Sequence, residues 1–129
     1  MASATNCSFT LNPEDLIIPL FCGHDPRCRV INSQWALETA KDNVIRFYPV
    51  VGVLENFEDT LKVLEKKLPQ FFRGAEDIFN STLFDIFKKR KDPEVPNLVR
   101  KKLDEALETE NNFYRWVKNR LTEQVMSLL

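Results

Sequence analysis

The sequence predicts a slice of an α/β fold, mostly helical, with one buried strand at about residues 50–54. Three observations carry that expectation. The run Pro49-Val50-Val51-Gly52-Val53-Leu54 is short, continuous and mostly β-branched, the pattern of a strand covered on both faces. Amphipathic helical patterns flank it on both sides. No second convincing strand accompanies it, so its edges have no neighbours encoded in the chain. Unpaired buried backbone groups cost roughly 1–3 kcal/mol each, which points to an incomplete domain.

The elements follow in order. Residues 1–12 lack periodicity and form an irregular lead-in. Residues 13–129 form the structured part. Asn12-Pro13-Glu14-Asp15 is a helix start, and Pro19 is expected to stop the turn or two that follow. Cys22-Gly23-His24-Asp25-Pro26-Arg27-Cys28 is a tight loop by its Gly, Asp and Pro content. Asn32 or Ser33 caps a helix to about Phe47, with Trp35, Leu37, Ala40, Val44, Ile45 and Tyr48 on a broad apolar face. After the strand, Asn56 caps a helix striped by Phe57, Leu61, Leu64 and Leu68, ending before Pro69. A further helix is expected from Glu76 to about Phe87. The charged run Lys88-Lys89-Arg90-Lys91-Asp92, with Pro93 and Pro96, reads as a loop. Two helices close the chain, from about Pro96 to Leu103 or Leu107, and from about Thr109 to Ser127.

Composition excludes several classes. The 129 residues make about one domain, and 43% hydrophobic with 29% charged residues fits a folded globular chain. The formal net charge of −1 gives no overall field towards nucleic acid or a polyanion, so any anion site is a local basic patch. No apolar run reaches the roughly 18 residues a membrane span needs. Met1-Ala2-Ser3-Ala4-Thr5 lacks the features of a secretory leader, so an address to a secretory compartment would lie upstream.

Chemistry-bearing residues are few. The turn between Cys22 and Cys28 can bring them within reach of a disulfide, worth roughly 2.4 kcal/mol by loop entropy. A zinc site using Cys22, His24, Cys28 and Cys7, and two plain buried thiols, are the competing readings. The chain has three cysteines, an odd count that suggests a missing partner or a free thiol. His24 is the single histidine and reads as a turn residue, with no nucleophile arranged around it. No glycine-rich phosphate loop is present. Lys88, Lys89, Arg90 and Lys91 are a candidate sulfate or phosphate clamp, against the simpler reading of a solvated helix end. Asn6-Cys7-Ser8 and Asn80-Ser81-Thr82 match the N-glycosylation acceptor pattern, making Asn6 and Asn80 candidates.

Leu20-Phe21-Cys22-Gly23-His24 with Cys28 resembles the heparan sulfate 2-O-sulfotransferase family, which includes the uronyl 2-sulfotransferases and the insect protein Pipe. The likeness continues through Trp35-Ala36, Ala40-Lys41-Asp42-Asn43 and Val51-Gly52-Val53-Leu54-Glu55. It is strongest at Leu68-Pro69-Gln70-Phe71-Phe72-Arg73-Gly74-Ala75 and resumes at Glu110-Asn111-Asn112-Phe113-Tyr114. The tail, with Leu98-Val99-Arg100-Lys101 and Lys118-Asn119-Arg120-Leu121, looks closer to the Pipe branch.

The resemblance implies the C-terminal portion of a sulfotransferase domain, whose N-terminal half with the donor loop is missing from 13–129. Such enzymes are Golgi-lumenal type II membrane proteins. They transfer a sulfo group from 3′-phosphoadenosine 5′-phosphosulfate (PAPS) to the 2-hydroxyl of a uronic acid in a glycosaminoglycan, without a metal. In the family the phosphosulfate loop and the catalytic histidine precede the matched region, and His24 does not match that histidine. The resemblance therefore implies no catalytic residue here and an isolated chain that is inactive. It pairs Cys22 with Cys28 and makes Cys7 the second member of an earlier disulfide. It places Phe79 beside the nucleotide, with Lys88, Lys89, Arg90 and Lys91 loosely filling a basic loop that lacks the family's Arg-Lys-Thr pattern. It implies no nucleic acid partner, membrane attachment only through an anchor absent from this sequence, and allows a homo-oligomer in the complete enzyme. The alternative function is a non-catalytic polysaccharide-binding or interaction module derived from the same fold.

Overall fold

The computed structural model describes residues 10–83 and 93–129. They fall into two compact units, one from Met1–Phe47 and Glu94–Arg115, the other from Tyr48–Pro93 and Trp116–Leu129.

In the first unit the opening helix is displaced from its expected place. Pro13–Asp15 makes only a 3-10 turn, and helix α1 runs over Ile18–Cys22 with Pro19 in its first turn. Pro19 starts this helix rather than stopping one, because a first-turn residue has no intrahelical N–H bond to lose. The free donors at that end are taken from far along the chain. Glu110 accepts from the backbone N–H of Ile17 at 2.9 Å and of Ile18 at 3.1 Å. At the other end Asn43 donates from Nδ2 to the carbonyls of Phe21 and Cys22, at 2.9 and 3.0 Å.

Helix α2, Gln34–Phe47, is capped by Ser33, whose Oγ accepts from the Ala36 N–H at 3.2 Å. It buries Ala36, Leu37, Ala40 and Val44, a stripe of helical period. Trp35, Ile45 and Tyr48, expected on the same face, are 40%, 65% and 39% exposed. The stripe is thus narrower than the sequence suggests. Helix α6 is Asn97–Ala106 and α7 is Glu108–Met126. Phe113 of α7, 1% exposed, meets Phe21 with ring centroids 5.4 Å apart and closes this core.

Asn32 ties the α6–α7 junction. It adopts φ 58°, a left-handed conformation that asparagine tolerates better than most residues. Its amide donates to the carbonyl of Ala106 at 2.8 Å. Its Oδ1 accepts from the Thr109 N–H at 3.2 Å and from the Thr109 hydroxyl at 3.0 Å. One side chain thereby satisfies the end of one helix and the start of the next.

The second unit holds α3 (Phe57–Lys67), α4 (Pro69–Phe72) and α5 (Ala75–Ile78), followed by a π-helical turn over Phe79–Leu83. Gly74, at φ 83°, makes the left-handed step that separates α4 from α5. Val53, Leu61, Val63, Phe79, Val117 and Leu121 are buried. On α3 the inward face is centred on Thr60, Leu61 and Val63 rather than on the leucine stripe. Asn56 stands at the N-cap position, but its side chain makes no capping bond. The expected helix over 76–87 is realised as α5 and the π-helical turn as far as Leu83. The rest lies outside the described residues.

The expected strand over about 50–54 is not formed, and no strand occurs among the described residues. Val53 is extended, at φ −123° and ψ 140°, and the chain then tightens into a 3-10 turn over Leu54–Asn56. The physical reason is pairing. A strand is stabilised by a neighbouring ladder, and helical side chains take its place here. Arg120 donates to the Tyr48 carbonyl at 2.8 Å and Gln124 to that of Pro49 at 2.9 Å. Thr60 Oγ1 accepts from the Val53 N–H at 3.3 Å and donates to the Asn56 carbonyl at 2.9 Å. Among the described residues, no hydrogen bond engages the backbone of Val50, Val51 or Gly52. Gly52 is fixed by the same contact. A Cβ there would stand 2.7 Å from Thr60 Oγ1 and closer still to its Cγ2.

Candidate functional site

The loop from Cys22 to Cys28 is closed by a disulfide, with Cα atoms 5.6 Å apart. Both cysteines are buried. This excludes the zinc and free-thiol readings of that pair. His24 is exposed within the loop. Among the described residues no cluster of His, Cys, Asp and Glu is arranged to hold a metal ion. Asp25 caps the 3-10 turn Pro26–Arg29, accepting from the Arg27 N–H at 2.9 Å and from its Nε at 3.1 Å. A second arm of the guanidinium reaches Oδ2 at 2.8 Å. These hydrogen bonds lower the Asp25 pKa to about 2. The same guanidinium lies 3.9 Å over the Trp35 ring. Arg29 and Glu14 pair alongside. The disulfide and the Asp25–Arg27 fork brace the loop.

Phe79 is 4% exposed, its ring 4.8 Å from that of Phe57. It serves here as a core residue of the second unit. Asn80 is exposed. Lys88, Lys89, Arg90 and Lys91 lie outside the described residues, as do Asn6 and Cys7. Arg100 and Lys101 line an open groove of about 570 Å³ with Asn97, Asp104, Glu105 and Glu108. Its mixed charges favour neither an anion nor a cation.

Residues that periodicity could not single out organise these units. Glu110, Asn32, Arg120 and Gln124 each bridge 72 residues or more to backbone groups. The Arg120 pKa is lowered by burial, and its Nη1 is buried without a partner among the described residues. The local signal was weak in each case, although Glu110 opens one of the segments that carry the family resemblance.

Among the described residues the two units are sets of helices, the first braced by the Cys22–Cys28 disulfide. The chain is 38% identical over 104 residues to heparan sulfate 2-O-sulfotransferase 1 of Gallus gallus, covering 78% of this chain and 29% of that protein. The protein of the same name from Homo sapiens is 36% identical over the same shares. Uronyl 2-sulfotransferase of Homo sapiens is 51% identical over 63 residues, 49% of this chain and 15% of its own length. No family model matches. The chain is thus a homologue of the heparan sulfate and uronyl 2-O-sulfotransferases, and it spans less than a third of the length of these relatives.

Proposed function

We propose that this chain is the C-terminal portion of a glycosaminoglycan uronyl 2-O-sulfotransferase. In the complete enzyme a sulfo group passes from PAPS to the 2-hydroxyl of a uronic acid in heparan sulfate or a related polysaccharide. The observation that carries this reading is the 36–38% identity over 104 residues to proteins named for that reaction. The Cys22–Cys28 disulfide supports the lumenal setting, since such bonds persist in oxidising compartments. No helix among the described residues is long and apolar enough to cross a membrane, so a type II anchor in the Golgi would come from another part of the protein. The open backbone at Val50, Val51 and Gly52 supports an α/β fold completed by strands of the remaining part. PAPS is the donor; the loop that cradles it and the histidine base belong to that same part, and no metal is required.

The chain by itself is therefore inactive, and within the whole enzyme it supports the reacting half. A chimera tests the reading directly. Replacing the matched segment of the chicken enzyme by residues of this chain should retain sulfo transfer from PAPS to heparan sulfate within about tenfold. The isolated chain should show none. A folded, soluble chimera without activity would refute the assignment, and transfer by the isolated chain near the rate of the complete enzyme would refute its inactivity.

A further inference from the structure

The acceptor pattern Asn80-Ser81-Thr82 has a structural setting that the sulfotransferase reading does not use. Asn80 begins just after α5, in the π-helical turn Phe79–Leu83. Its neighbour Phe79 is driven inward against Phe57, and this turns the next side chain outward. Asn80 is exposed, and its amide makes no hydrogen bond among the described residues. Ser81 is exposed as well and spends its hydroxyl on the Ile78 carbonyl at 3.0 Å. Among the described residues nothing depends on the Asn80 side chain, and a bulky group can be added there without moving the buried residues of the second unit.

The second observation is remote in the chain and independent. Cys22 and Cys28 are joined, which fits the oxidising lumen of the secretory route. That lumen is also where asparagine-linked glycans are transferred. A chain that forms its disulfide there passes the transferase. We infer that Asn80 carries an N-linked glycan. The Asn80 amide nitrogen attacks C1 of the first sugar of a lipid diphosphate-linked oligosaccharide. The C1–N bond forms and the C1–O bond to the diphosphate breaks. The lipid diphosphate departs with the electron pair, and one amide proton goes to solvent. Transfer acts on the extended chain before the turn winds, so the helical geometry of the folded state does not oppose it. The folded state has only to leave room, and among the described residues Asn80 stands exposed. The inference stands whether or not the enzyme assignment holds.

The test uses the full chain, produced behind a cleavable secretory leader in insect or mammalian cells. A glycosidase that converts each glycan-bearing asparagine to aspartate is followed by mass spectrometry of the peptide holding residue 80. The expected result is aspartate at position 80 in chains whose Cys22–Cys28 bond is closed. Asn80→Gln and Thr82→Ala should each remove one glycan, while Thr82→Ser keeps it, and all three should retain the disulfide. Unmodified asparagine at position 80 in disulfide-closed chains would overturn the inference. So would occupancy found only in chains lacking the disulfide, because that would mark modification of misfolded material alone.

Discussion

Single side chains settle several helix ends in this protein, and Asp25 is the one whose protonation can be followed. It caps a turn, accepts three hydrogen bonds from Arg27, and its pKa falls to about 2, chiefly through the side-chain bond to the guanidinium. The folded pKa lies below the ordinary aspartate value of about 3.9, so the carboxylate contributes to stability above that value. The contribution is lost as pH falls from about 4 through about 2. A carbon-detected titration of the Asp25 carboxyl should show a midpoint near 2, and Arg27→Ala should move it back towards 3.9. A wild-type midpoint above roughly 3.5 would mean that the fork is not formed in solution. The capping role of Ser33 is legible in sequence, because its partner lies within three residues, whereas Asp25 reads there only as part of a tight loop. The roles of Glu110 and Asn32 are not legible there, because their partners lie 74 or more residues away.

At the scale of elements, agreement between sequence and structure follows the range of the forces. Helices α2, α6 and α7 were legible because a cap and a 3.6-residue period are written locally in Ser33, Ala36, Leu37, Ala40 and Val44 and their counterparts. The segment at 50–54 was not. Its β-branched composition predicts how it would sit in a sheet, but a ladder needs a second strand, and the described chain provides helical side chains instead. Gly52 and Thr60 make this testable. Adding a Cβ at position 52 forces it into the Thr60 side chain, the one that holds the Val53 N–H. Gly52→Ala should destabilise the second unit by about 1–3 kcal/mol, as overpacking does. In Thr60→Ala only the contact with its Cβ at 3.0 Å remains, so adding Gly52→Ala to that background should cost about half as much or less. Equal costs in both backgrounds, read from urea midpoints, would show that the contact is not what requires glycine.

For the whole molecule, the question is whether the segment at 50–52 is finished. Thr60 protects the Val53 amide from within, whereas the amides of Val51 and Gly52 have no acceptor among the described residues. Val50 and Val51 are half-buried and Gly52 is exposed, so an unpaired group in the half-buried part carries a cost that a neighbouring strand would remove. The candidate site follows the same logic. Its disulfide brace is encoded here, and the function proposed above assigns the donor loop and base to a part of the protein outside the third that this chain spans. Amide hydrogen exchange separates a finished module from a partial one. In the isolated chain, Val51 and Gly52 should exchange within about tenfold of unstructured rates, while Val53 is slowed well beyond that. In the active chimera with the chicken enzyme, the same two amides should become as protected as Val53, because a strand of the larger sheet would then accept from them. Strong protection of Val51 and Gly52 in the isolated chain would mean that it already satisfies its own backbone, and the pairing with a larger sheet would have to be given up.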